Sequence, residues 1–304
     1  MKEIKEELKE YIASRQVSQN QIAKSIGLSG GAISAWLSGN YKGDNEKLAH
    51  SIKAYLRRER NRRQALVIPT VRIETYRQIH LAMDVAAEEV DIALICGHAG
   101  AGKTIALTTY VREYGGIYIQ VDKTYTQHRL TTVLADKLGI NIKGSAAQLT
   151  ERIIHTLEDL DTLIVIDEAD YLFDSSLEYL RQVVYDAGHT GLVLCGLPRL
   201  SAIIQNVRND HDQLLTRIGV RLMLDDISSE DMGAIIDAAW PSLKAPIKKS
   251  LIASSSIRFR SEPAPCLRTL EKMLKRLHLY THRKGGEPTI KDVKEVAKLA
   301  MRRY

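Results

Sequence analysis

The sequence predicts an α/β fold, a parallel sheet sandwiched by helices, with helical additions at both ends. Three observations predict it. Five short apolar runs, Ile92–Cys96, Ile117–Val121, Leu163–Asp167, Gly191–Cys195 and Val220–Leu224, are separated by segments long enough to hold helices. The runs are continuously apolar rather than alternating, as in strands covered on both faces. The first run leads into Gly97-His-Ala-Gly-Ala-Gly-Lys-Thr104, and the third ends in Asp167 and Glu168. Polar groups thus follow strand ends, where open parallel sheets place their ligands.

At the start of the chain, Ile4, Leu8, Tyr11 and Ile12 have helical spacing. Two further helices are predicted over Ser18–Gly27 and Leu28–Gly39. Ile22, Ala23 and Ile26 form one apolar face, Ile33, Trp36 and Leu37 the facing stripe, and Gly27 allows the tight turn between them. Ser29 is the expected N-cap of the second helix. The pattern resembles the repressor-type helix-turn-helix over about forty residues. Its outward candidates are Ser29, Gly30, Gly31, Ser34 and Ser38, none of which makes the bidentate contacts that distinguish bases. Ser29 and Ser34 are therefore candidate DNA contacts that position without specifying. A helix over 46–63 ends in Arg57-Arg-Glu-Arg-Asn-Arg-Arg63, and residues 64–70, with Pro69, read as a linker after a first domain of residues 1–63.

The α/β domain follows over 71–227, with helices expected at 104–114, 127–138, 146–159 and 175–187. Residues 228–304 read as helical throughout, with no strand signal, punctuated by Pro241, Pro246, Pro263 and Pro265.

Composition narrows the class. The 304 residues are 44% hydrophobic, ordinary for a globular chain of two or three domains. No apolar run approaches a membrane span, and the N-terminus is charged rather than signal-like. A cytoplasmic protein is expected. Cys96, Cys195 and Cys266 are far apart, which favours buried reduced thiols over a disulfide or a metal site. The net charge of +6 is uneven. Residues 1–66 carry 13 Lys/Arg against 7 Asp/Glu, residues 67–267 carry 19 against 26, and residues 268–304 carry 11 against 4. Basic ends around an acidic centre suit a polyanionic partner.

The glycine-rich segment fits the phosphate-binding pattern G-x-x-x-x-G-K-[ST] between a strand and a helix. Its residues, Gly97, His98, Ala99, Gly100, Ala101, Gly102, Lys103 and Thr104, are expected to bind ATP. Backbone N–H groups close around phosphates there, Lys103 reaches the β- and γ-phosphates, and Thr104 holds Mg²⁺. Asp167 is expected beside the same Mg²⁺, and Glu168 is placed to polarise an attacking water.

Together these motifs resemble the AAA+ ATPases of the transposition-helper type, the group that includes the B protein of phage Mu, with TnsC and IstB as cousins. The resemblance runs over nearly the whole chain. It rests on the helix-turn-helix followed by Tyr41-Lys-Gly-Asp-Asn-Glu46, on Ile166-Asp-Glu-Ala-Asp170, on Gly191-Leu-Val-Leu-Cys-Gly196 and on Leu215-Thr-Arg-Ile218. It implies a P-loop AAA+ sheet with an N-terminal helix-turn-helix domain and a C-terminal helical lid over 228–304. It also implies that Arg217 is an arginine finger reaching a neighbouring subunit's γ-phosphate, with Arg221 as the alternative, and that Arg268 is a lid arginine sensing that phosphate. By the same resemblance, Lys123, Thr124 and Arg129 contact double-stranded DNA inside an ATP-dependent helical oligomer. That oligomer delivers target DNA to a DDE transposase in the cytoplasm of a bacterial host. One departure stands out: such ATPases carry a polar residue after the fourth strand that orients water, and in Cys195-Gly-Leu-Pro-Arg199 Leu197 lies near that place, so either the polar group comes from elsewhere or hydrolysis is slow. Rival readings are an AAA+ helicase loader and an ATP-gated helix-turn-helix transcription regulator. A membrane-transport ATPase lacks support in the absence of any spanning segment.

Overall fold

The computed structural model describes residues 1–205, 212–259 and 262–300. The chain divides into two compact units. One comprises residues 1–67 with 278–286, and the other residues 68–277 with the chain from 287 onward.

In the first unit, four helices, α1 (Lys2–Arg15), α2 (Gln19–Ser25), α3 (Gly30–Ser38) and α4 (Asn45–Arg63), enclose a small core. Leu8, Ile22, Ile33, Trp36 and Ile52 are fully buried in it. Local signals set the helix ends. Ser18 and Gln21 form a reciprocal capping box at α2, and Asp44 accepts the N–H groups of Glu46 and Lys47 at α4. Gly27 turns the chain between α2 and α3 at φ 75°, a region other residues avoid. Ser29 stands at the N-cap of α3 with extended backbone, but its side chain makes no capping hydrogen bond.

The second unit is organised by five strands: β1 (Ile92–Cys96), β2 (Ile117–Gln120), β3 (Leu163–Asp167), β4 (Gly191–Gly196) and β5 (Ile218–Met223). They are all parallel, in the order β2-β3-β4-β1-β5. Side chains alternate between two cores. Ile92, Leu94, Ile164 and Ile166 pack on one face under α7 (Gln127–Lys137), α8 (Ala146–Glu158) and α9 (Asp174–Leu180). Ala93, Ile95, Leu163 and Val165 pack on the other against α5 (Glu74–Glu88) and α6 (Lys103–Tyr114). Burial on both faces is why these strands read as continuous apolar runs. β4 lies between β1 and β3, so its end separates the glycine-rich loop from the Asp167–Glu168 pair.

Three expectations are corrected. β5 begins at Ile218 rather than Val220 and ends one residue earlier. Its start is hidden by Gly219, where a side chain would collide with Asp91, and its pairing with β1 shifts register there. The helix expected over 175–187 is α-helical only to Leu180, and Arg181–Ala187 continues with π-type pitch. The buried Arg181 there pairs with Glu178 and Asp186. The chain after residue 228 is not helical throughout. After α10 (Pro198–Ile204) and α11 (Asp212–Thr216) come α12 (Ser229–Ala239) and α13 (Ala245–Ser254). An antiparallel pair of strands, β6 (Ser256–Phe259) and β7 (Glu262–Pro265), precedes α14 (Leu267–Lys284) and α15 (Ile290–Ala300). Pro263 and Pro265 argue against a strand only where both edges must be paired, and each strand of a two-stranded ribbon has one free edge.

Among the described residues no helix is long and apolar enough to cross a membrane.

Candidate functional site

At the carboxyl edge of the sheet lies a cleft of about 310 Å³, within the range of small-ligand sites. The glycine-rich loop forms one wall. Gly100 and Gly102 both adopt φ 87°, and a Cβ at Gly100 would collide with the Cys266 Sγ. Glycine is therefore required by both backbone conformation and close approach. Gly102 also caps α6, whose first residues are Lys103 and Thr104. The loop's backbone is thus held over a helix N-terminus, the arrangement that binds phosphate.

Lys103 and the acid pair complete the floor. Lys103 Nζ donates to the carbonyl oxygens of Gly97 (2.7 Å) and His98 (3.0 Å). Thr104 Oγ1 donates to Asp167 Oδ2 at 2.7 Å. Asp167 is buried, and its Oδ1 accepts the Glu168 N–H at 2.9 Å. Glu168 itself has φ 59° and ψ 32°. A non-glycine residue in this left-handed region costs of order 1–3 kcal/mol, a strain that gathers at functional sites. It lets the chain leave β3 and turn at once, so Asp167 and Glu168 both face the cleft instead of alternating across the sheet.

Sequence reasoning missed three contributors. Tyr118 on β2 donates to Asp167 Oδ2 at 2.8 Å. Burial, then the neighbouring Asp167 charge, push its phenol well up, so it stays a donor. Its signal was a lone hydroxyl inside an apolar strand. Asp170 lines the cleft beside Leu197, and Glu271 lines it beside Arg268. Cys195 lies buried near Asp167, and burial first, then that carboxylate, push its thiol well up. All three cysteines are buried and unbridged.

The predicted residues fall into two groups. Ala99 through Thr104, Asp167, Glu168, Leu197 and Arg268 line the one cleft. Gly97 and His98 meet it through their carbonyl contacts with Lys103. Arg217, by contrast, lies away from these walls, half-exposed between α11 and β5, with Nε 3.5 Å from Asp186 Oδ1. Arg221 donates to the Leu215 carbonyl. Lys123 and Thr124 are exposed on the loop after β2, and Arg129 is exposed in the first turn of α7. Thr124 bonds Asp122 Oδ1 at 2.5 Å, and Arg129 stacks on Tyr125 at 4.4 Å. Ser29 and Ser34 are exposed on the first unit.

A second, mainly apolar cleft of about 130 Å³ adjoins the first and shares Ala101, Gly102, Ile105 and Leu267 with it. Ile68, Pro69, Val71 and Tyr76 line its far side.

A parallel sheet in this strand order, with the phosphate loop after β1 and the acid pair after β3, defines an AAA+ ATPase. Residues 87–204 match the family model described as an AAA domain. The chain is 30% identical over 242 residues to the ATP-dependent target DNA activator B of Escherichia phage D108, and equally to that of Escherichia phage Mu. Each match covers 78% of this chain and 77% of the relative. It is 28% identical over 243 residues to the Mu-like prophage FluMu DNA transposition protein B of Haemophilus influenzae, covering 76% and 83%. The chain belongs to the phage Mu transposition protein B family of AAA+ ATPases. Among solved structures it resembles the Aeropyrum pernix ORC1 protein in complex with DNA (TM-score 0.54, 17% identity, 77% of this chain and 66% of that one). It also resembles domain III of the Thermotoga maritima replication initiation protein DnaA (TM-score 0.51, 17%, 79% and 96%). These likenesses concern the fold.

Proposed function

We propose that this ATPase assembles on double-stranded DNA in its ATP-bound state, without marked sequence preference, and delivers that DNA to a DDE transposase. The observation that carries the reading is the cleft: Lys103, Thr104, Asp167 and Glu168 line it together, with Thr104 bonded to Asp167, in a chain related to target DNA activators.

The glycine-rich loop and Lys103 hold the ATP phosphates, and the adjoining apolar cleft takes the base. Thr104 and Asp167 present two hard oxygens 2.7 Å apart, a donor pair that fits Mg²⁺ when the nucleotide's phosphates complete the shell. The ion would neutralise charge on the phosphates. Glu168 accepts the proton of the attacking water, and Arg268 contacts the γ-phosphate from α14. Arg217 lies off its own cleft, so its role requires a neighbouring copy, which ties hydrolysis to assembly. Leu197 leaves water less well oriented than a polar side chain would, which favours slow turnover and a switch rather than a motor.

Residues 1–63 act as the helix-turn-helix module, joined by the 64–70 linker to an ATPase core over 71–227 and a lid over 228–304. Ser29 and Ser34 contact phosphates there, and Lys123, Thr124 and Arg129 contact them on the core. Repetition along an oligomer multiplies each weak contact. The cell compartment this implies is the bacterial host's cytoplasm.

Negative-stain microscopy with random-sequence duplex DNA tests the proposal. Continuous helical filaments with ATP, absent with ADP or without nucleotide, are expected. Discrete particles unchanged by nucleotide would instead favour an operator-binding regulator.

A further inference from the structure

Between the cleft and the open surface stands a buried carboxylate with an exposed partner. The Asp170 side chain is 2% exposed, that of Arg199 50%. Arg199 Nε donates to Asp170 Oδ2 at 2.7 Å, and its Nη2 lies 2.5 Å from the same oxygen. Asp170 Oδ1 accepts the Leu197 N–H at 3.0 Å. It approaches so closely that a Cβ on Gly196 would sit 2.6 Å from it. This carboxylate therefore links the turn carrying Glu168 to the end of β4, on the wall that carries Leu197.

The other side of Arg199 faces a notch lined by Lys123, Asp170, Tyr171, Phe173, Arg199 and Ile203. Both cations lie over the Tyr171 ring, Arg199 at 4.9 Å and Lys123 at 5.8 Å. Phe173 is 58% exposed. Among the described residues that line it, the only acid is Asp170, which Arg199 already covers. A guanidinium has five N–H donors, and those not directed to Asp170 or to the Tyr171 hydroxyl remain for a further acceptor. Two cations around an exposed aromatic surface, with no free acid among the described lining residues, fit a nucleic-acid phosphate.

We propose that the notch between Lys123, Tyr171 and Phe173 binds a backbone phosphate of duplex DNA, and that Arg199 passes this occupancy through Asp170 to the catalytic turn. Arg199 is here a positioning residue: it is not among the described residues that line the cleft, and it acts by fixing Asp170 and hence the Leu197 peptide and the Glu168 turn. A phosphate in the notch pins the guanidinium and tightens that chain of contacts, so DNA raises turnover. The DNA half of the inference rests on the function proposed above, whereas the effect of Arg199 on turnover without DNA does not.

The test is steady-state ATP hydrolysis with and without random-sequence duplex, with DNA binding followed in parallel by fluorescence anisotropy. The wild type is expected to gain about 5-fold or more in kcat with DNA, the low end of usual coupling between sites. Arg199→Ala is expected to lose about 10- to 100-fold in kcat without DNA, a misplacement effect, while KM for ATP moves by less than about 2-fold. Its response to DNA disappears. The double variant Asp170→Asn with Arg199→Ala removes the uncompensated charge and recovers basal kcat relative to Arg199→Ala alone. Lys123→Glu and Phe173→Ala each lower the ratio of DNA-stimulated to basal rate. An unchanged basal kcat in Arg199→Ala, or a KM that rises in step with the loss, overturns the positioning role. DNA binding by the wild type together with an undiminished ratio in Lys123→Glu and Phe173→Ala overturns the notch alone. A wild type that neither binds nor responds to duplex overturns the DNA reading itself.

Discussion

Helix α3 presents Ser34 and Ser38 to solvent beside the buried Ile33 and Trp36, whereas β1 and β3 lead into Lys103, Thr104, Asp167 and Glu168 around one cleft. Both regions stand on a buried core. Trp36 is fully buried, as are Ile95 and Ile166 behind the cleft. They differ in what they show outward. Phosphoryl chemistry needs particular groups at particular distances, so its site is dense in reactive side chains. Under the proposed function, holding DNA of any sequence needs only a stable shape and access to phosphates, a task that the small residues of α3 would satisfy.

That contrast can be broken by substitution. The largest effect is expected from Arg217→Ala. Its ion pair with Asp186 is half-exposed, so folding should change little, while kcat at protein concentrations that permit assembly falls by about 10³-fold or more. A variant with wild-type turnover would remove Arg217 from the reaction. Glu168→Gln should lower kcat by about 10²- to 10⁴-fold with ATP binding retained, measured by nucleotide titration beside turnover. It should leave ATP-dependent filaments intact but long-lived. Loss of ATP or DNA binding in that variant would show that Glu168 supports the loop rather than the water.

Trp36→Ala empties the centre of the first core and should destabilise that unit by about 3–5 kcal/mol, seen as an early melting transition. Melting at the wild-type temperature would mean that the four helices do not depend on their common core. Ser34→Ala is the smallest case, with DNA affinity expected within about 2-fold and stability within about 0.5 kcal/mol. A tenfold loss of affinity would make α3 a reader after all, and would sharpen the rival view of an operator-binding regulator.

The parallel sheet was legible because β1, β3 and β4 are buried on both faces, which leaves an unbroken apolar signature. The cleft was legible because its parts sit in short contiguous segments, 97–104 and 167–168. Less visible were residues whose partners lie far along the chain. Tyr118 meets Asp167 across a strand pair, and Arg199 meets Asp170 across 29 positions. The β6–β7 hairpin was hidden by its prolines, and the π-type turn at Arg181 by an ordinary helical pattern.

The sequence alone determined the five strands of the parallel sheet and marked the glycine-rich loop and the acid pair, because local conformation and burial on two faces leave marks within a few consecutive residues. Only the tertiary structure decided that β4 lies between β1 and β3. It also decided that Glu168 takes a left-handed turn and that Asp170 ties that turn to Leu197 under Arg199. Strand order and long-range hydrogen bonds depend on which distant segments pack together. No local pattern encodes that choice, because the same side chains would satisfy several pairings until the whole core closes.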